Sequence, residues 1–139
     1  MSIIVTDNGF EADDWTHDFT ALDSLAANDA SPAVAVDLAS DADPAALEGR
    51  LDGIDLVRID FPSFADGRGF TIARRLRLMG FHGRLRAHGH VIADQYAMAR
   101  RSGFDEVEIS EELAERQPEA QWLRRANWES HDYQSRLRA

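Results

Sequence analysis

Between Ala33 and Ile109 the chain alternates short apolar runs with stretches of helical period, and this alternation limits the possible folds most. Ala33 to Leu38, Ile54 to Phe61, Gly83 to His88 and Phe104 to Ile109 read as buried strands. Asp43-Pro44 opens a helix through about Leu51, with the aspartate as cap and the proline at the first helical position. Thr71 to Met79 reads as a helix with Ile72, Ala73, Leu76 and Met79 on one face and Arg74, Arg75 and Arg77 off it; Gly80 ends it. Ile92 to Arg101 reads as a helix stopped by Gly103, and Ser110-Glu111-Glu112 caps a last helix that breaks or restarts at Pro118. Strands separated by helices point to a parallel sheet with right-handed crossovers. The expectation is an α/β fold of repeated βα units with a mainly parallel sheet, open doubly wound or half-barrel-like. It forms a single domain over 1–139, with a core at about 33–110 and a C-terminal helix and aromatic tail over 111–139. Before the core, Ile3-Ile4-Val5 suits a short strand, and Asp13-Asp14-Trp15 and Ala21 to Asn28 suit a turn and a short helix.

Composition narrows the chemistry. The chain has no cysteine, which removes disulfides, thiol nucleophiles, cysteine-ligated zinc and cysteine-held iron–sulfur clusters. It has no lysine, so all 15 basic residues are arginine; Schiff-base chemistry and the phosphate-loop lysine are gone as well. A net charge of -10 disfavours nucleic acid and anionic membranes as partners. No apolar run approaches the roughly 18 residues of a membrane-spanning helix, and the start MSIIVTDNGFEADDW does not read as a signal peptide. A cytoplasmic location is expected. Charge is unevenly placed: residues 1–70 hold 15 acids and three arginines, and residues 71–139 hold ten acids and 12 arginines.

In parallel α/β folds, sites gather at the carboxyl ends of the strands. Asp66-Gly67-Arg68-Gly69 stands there, just before a helix. Free N–H groups and the helix dipole favour an anion at such a turn, with Arg68 as a clamp; a tight turn held by Asp66 and Arg68 hydrogen bonds is the alternative. As a dinucleotide loop the stretch is poor, because Ile72 stands where the third glycine belongs and the next strand ends in Arg86-Ala87-His88 with no ribose-binding acid. Arg86, near the end of its strand, either faces a ligand or pairs with Asp60 or Glu108; alanine there then removes function or removes the fold, respectively. His88-Gly89-His90 puts two imidazoles on one side of an extended chain, but no metal site is assigned. Asp60, Asp66 and Asp94 are the candidate general bases. Trp122, Trp128 and Tyr133 form an aromatic tail that suits a contact with a second copy or folds over the sheet edge.

FPSFADGRGFTIARRLR (Phe61 to Arg77) and GFHGRLRAHGHVIADQYAMARRSGFDEVEI (Gly80 to Ile109) resemble the bacterial family of unknown function DUF934. The resemblance covers about Leu56 to Ile109, with a weaker echo at Asp13-Asp14-Trp15. It implies an accessory role in assimilatory sulfite reduction, because such genes accompany sulfite reductase genes; members often carry an oxidoreductase label. Sulfite reductase, or another protein of sulfur assimilation, is the implied partner; the cofactor is unknown. The residues carried over are Asp66, Gly67, Arg68, Gly69, Arg86, Gly89, Asp94 and Gln95. The family usually has a small apolar residue at the place of His88 and an acid at that of His90, so both histidines look particular to this chain. Lacking cysteine, the chain cannot hold sirohaem and a cluster as a reductase does. Gly67, Arg68, Gly69, Arg86, Gly89 and Gln95 form the expected anion site, and an enzyme acting on a small anion with an aspartate base is the alternative.

Overall fold

The computed structural model describes residues 2–22 and 34–128. A hairpin comes first: β1 (Ser2–Thr6) and β2 (Gly9–Ala12) pair antiparallel. Then follow β3 (Phe19–Ala21), β4 (Ala35–Leu38), β5 (Leu56–Phe61), α1 (Arg68–Leu78), β6 (Arg84–Gly89), α2 (Tyr96–Ser102), β7 (Glu106–Ser110), α3 (Glu111–Arg116) and α4 (Glu119–Leu123). All seven strands form one sheet in the order β2-β1-β7-β6-β5-β4-β3. β3 to β7 run parallel; β1 joins β7 antiparallel. The expected α/β fold with a mostly parallel sheet is present, with an antiparallel edge added by the hairpin.

The parallel strands follow one another across the sheet without a reversal. Right-handed crossovers then carry successive helices to the same face. The core agrees. Val36, Leu38, Val57, Ile59, Phe61, Leu85, Ala87, Val107 and Ile109 point to one side and bury Ile72, Ala73 and Leu76 of α1 and Tyr96 and Ala99 of α2. This is the apolar stripe expected of α1, and Gly80 (φ +100) and Gly103 (φ +117) close the two helices. Because strand side chains alternate, the intervening positions face the other way. They are Arg58, Asp60, Arg84, Arg86, His88, Glu106 and Glu108, with Asp37 of β4 beside Arg58. One face of the sheet is thus apolar and covered by helices, and the other carries charge.

Three expectations change. The helix from Asp43 to Leu51 is two 3-10 turns, Pro44–Leu47 and Leu51–Gly53; the Asp43 carboxylate does cap the first, but Gly49 at φ +80 lies between them and no helix passes through it. β2 and β3 were not foreseen, being only four and three residues long and largely polar or exposed. Ala21 ends β3, and the rest of the proposed helix, from residue 23 on, lies outside the described residues, as does Ala33. Ser110 caps α3 by accepting the Leu113 N–H at 3.1 Å, and the chain restarts as α4 after Pro118, both as expected.

Candidate functional site

The glycine turn is held by its own side chains. The Asp66 carboxylate accepts the Arg68 backbone N–H at 3.1 Å and the Arg68 guanidinium at 3.0 and 2.8 Å. Arg68 Nη2 also donates to Ser40 Oγ at 2.9 Å. The hydrogen bonds from the Arg68 side chain and backbone hold the Asp66 carboxyl far below the usual carboxylate range, so it is a weak base. Gly69 has a steric reason: a Cβ there would stand 2.5 Å from Cζ of the Phe61 ring. Phe61 ends β5 and packs against Phe70 at 5.0 Å and Phe104 at 5.8 Å between ring centroids. The second glycine therefore lets α1 close over an aromatic cluster.

Arg86 is on the charged face, with a side-chain exposure of 0%. Its Nε donates to Glu106 at 2.6 Å and its Nη1 to Glu108 at 2.9 Å; Asp13 lies 3.2 Å from Nη2. The pattern continues sideways. Arg58 forks onto Asp37 at 2.6 and 2.8 Å and reaches across β6 to Glu108 at 3.1 Å, while Arg84 joins Glu106 and Asp14, each at 2.8 Å. Phe19 lies against this row, its ring centroid 3.6 Å from the Arg58 guanidinium carbon. Of the two partners foreseen for Arg86, Glu108 is present; Asp60 lies beside His88 instead. Arg68 and Arg86 share no partner among the described residues.

A cavity of about 520 Å³ opens at the carboxyl ends of β6 and β7. His88, Gly89, His90, Glu108, Ser110 and Arg116 line it, with Ser2 and Phe64 at its sides. His88 sits between carboxylates, with Nε2 3.4 Å from Glu108 and Nδ1 3.8 Å from Asp60. Nδ1 of His90 lies 3.2 Å from the Phe61 carbonyl oxygen, and its ring meets Phe64 edge-on at 5.1 Å. Gly89 makes the bend possible: its φ is +112, and a Cβ would stand 2.8 Å from the Phe61 oxygen. Gln95 ties the rim, donating to the Phe64 carbonyl and accepting from the Ile92 N–H, both at 3.0 Å. Arg116 is paired with Glu112, and Asp94 with Arg125 at 2.6 Å.

Of the residues singled out in the sequence, Gly89 lines the cavity, Gln95 braces its rim and Asp60 approaches it through His88. Asp66, Gly67 and Arg68 form a separate turn, Gly69 packs on Phe61, Arg86 lies beneath the charged face and Asp94 is on an exposed ion pair. Tyr133 of the aromatic tail lies outside the described residues; Trp122 is buried and Trp128 Nε1 donates to Asp7 at 3.3 Å. The sequence reading did not place Ser2 or Arg58 at a site and gave Glu106 no role. A signal for the charged row was present: Arg84-Leu-Arg86 and Glu106-Val-Glu108 are complementary i, i+2 pairs on successive parallel strands. Among the described residues, no group of three or more histidine or acidic side chains could hold a metal ion.

Glu108 connects the two regions. Burial pushes its carboxyl up, but the Arg86 hydrogen bond, the charges of His88 and Arg58 and the Ser2 hydroxyl outweigh burial and leave it below its usual value. A depressed folded-state value stabilises the fold above the unfolded-state value, about 4.3 for glutamate, and that stabilisation is lost as pH falls below it. Melting temperature is therefore expected to drop below about pH 4.3, and Glu108→Gln is expected to flatten the drop. An unchanged slope in thermal melts between pH 3 and 7 would locate the acid sensitivity elsewhere.

Residues 35–139 match a protein-family model described as "Bacterial protein of unknown function (DUF934)". The match reaches beyond Leu56 to Ile109 on both sides and leaves Asp13-Asp14-Trp15 outside. No curated protein matches the chain. Among the described residues no helix is long and apolar enough to cross a membrane.

Proposed function

The chain belongs to the DUF934 family, and from that premise we propose that it is a cytoplasmic accessory protein of assimilatory sulfite reduction with a small anion-competent cleft at the carboxyl ends of β6 and β7. One observation carries the accessory part: the chain pairs two of its three candidate bases, and Arg86 of the expected anion site, with its own side chains. Asp66 is held by Arg68, Asp94 forms an exposed ion pair with Arg125, and Arg86 is held by Glu106 and Glu108. The Asp66 carboxylate, hydrogen-bonded to Arg68, is a poor base, and a buried, doubly paired arginine is a poor ligand for a diffusing anion. The cleft offers two imidazoles and the Ser110 hydroxyl as donors to a small oxyanion, beside the carboxylates of Glu108 and Glu112, which are each paired with an arginine, and it explains no redox step by itself. The absence of cysteine supports a partner of the reductase over the reductase itself.

A second reading rests on Asp60. It is half-exposed, has no guanidinium partner among the described residues and lies beside His88, an arrangement that suits a general base. One growth experiment tests both. Deleting the gene is expected to stop growth on sulfate and leave growth on cysteine intact, and a plasmid copy carrying Asp60→Asn is expected to restore growth on sulfate. Equal growth of the deletion strain on both sulfur sources would remove the sulfur-assimilation role. Failure of a stably expressed Asp60→Asn copy would favour the enzyme.

A further inference from the structure

We infer that the outer face of α1 and α2 is a docking surface for a protein that presents carboxylates around an apolar side chain. In a chain of net charge -10, these two helices carry six arginines and no carboxylate. Three of the six are structural. Arg68 is bound to Asp66; Arg77 donates to the carbonyls of Phe81, Gly83 and Gly103; Arg100 donates to the Phe104 carbonyl and pairs with Asp7. The Arg77–Gly103 bond also fixes the two helices side by side.

The other three face outward. Among the described residues Arg74 is exposed with no partner and Arg75 meets only the exposed Asp43, at 3.3 Å, while Arg101 donates to the Trp128 carbonyl. Beside them stand the most exposed large apolar side chains of the two helices, Leu78 at 81% and Met98 at 56%. A shallow cleft of about 360 Å³ adjoins Leu78, lined also by Ala45, Met79 and Arg75 and, on the side away from α2, by the single carboxylate of Glu48. An apolar centre with an arginine rim is the composition of a protein interface.

Charge selects the occupant. A second copy docked by a two-fold axis would set arginines against arginines. Nucleic acid and anionic lipid are repelled by the rest of the chain. A partner with a local acidic patch meets complementary charge here and nowhere else on α1 or α2. The inference stands apart from the sulfur reading: the growth experiment can fail with this surface intact, and the reverse.

The test uses two helical peptides of one pattern, leucines flanked by glutamates or by lysines, titrated into the isotope-labelled full chain and followed by amide NMR. The glutamate peptide is expected to shift Arg74, Leu78, Met98 and Arg101, and to bind about tenfold more weakly at high salt. Arg74→Glu with Arg101→Glu is expected to weaken it about tenfold or more while circular dichroism is unchanged; should that pair fail to fold, Leu78→Ser, at a largely exposed position, takes its place with the same expected loss. Shifts confined to another face, no shifts at millimolar peptide, equal binding of the lysine peptide, or a salt-resistant dimer in sedimentation that buries Leu78 would each overturn the inference.

Discussion

Arg86→Ala is expected to bring the protein close to unfolding, at a cost of about 3–5 kcal/mol. The guanidinium has no solvent exposure and is shared by Glu106 and Glu108, which are themselves nearly buried. Removing it leaves two carboxylates on the charged face with fewer partners than burial requires; Arg84 still reaches Glu106 and Arg58 still reaches Glu108, which keeps the loss below total collapse. Against a typical domain stability of about 5–15 kcal/mol, the change is large. The measurement is urea unfolding of wild type, Arg86→Ala, and a triple variant in which Arg86→Met accompanies Glu106→Gln and Glu108→Gln. Removing the charges together is expected to recover much of the loss, because the penalty comes from unpaired charge more than from missing attraction. If Arg86→Ala melts like the wild type and only function is lost, the guanidinium serves a ligand after all.

Phe61→Ala is expected to cost about 3–5 kcal/mol as well, by a different route. The ring is 1% exposed and fills the space between Phe70, Phe104 and the first turn of α1. Its loss leaves a cavity at the joint between β5 and the helix, where the backbone is held at both ends and cannot collapse freely. The diagnostic result is coupling with Gly69. In the wild type, Gly69→Ala drives a methyl to within 2.5 Å of the ring and should destabilise by about 1–3 kcal/mol through overpacking. With Phe61 already alanine, the same methyl enters empty space and should be neutral or helpful. A double-mutant cycle by chemical denaturation reads the difference directly. Strict additivity would mean that Gly69 is glycine for some reason other than the ring.

Both results bear on how the turn Asp66-Gly67-Arg68-Gly69 was legible. Its position, between a strand and a helix, followed from period and punctuation alone, because local apolar spacing and glycine conformational freedom are properties of neighbouring residues. Its purpose did not. An anion cradle and an aromatic joint use the same glycines, and the difference is the Phe61 ring, eight residues earlier in sequence, folding back beneath Gly69.

Arg86 repeats the lesson across the sheet. Alternation put Arg84, Arg86 and His88 on one side of a strand, and likewise Glu106 and Glu108, since side-chain direction along a strand depends only on parity. Which of those sides is open depends on strand order. A parallel sheet that doubles back buries both faces under helices; one that runs straight across leaves a face to charges. No local pattern carries strand order, because it is decided by which strands pair over separations of 20 residues and more.

By itself, then, the sequence determined β1, the strands β4 to β7 and the helices that follow β5, β6 and β7, the family and the chemistry excluded by the lack of cysteine and lysine. The tertiary structure decided which charges meet. Arg86 joined Glu106 and Glu108, Arg68 joined Asp66, and the cleft fell to His88, Gly89 and His90, because ion pairing depends on distance in space and burial, and neither is set by proximity along the chain.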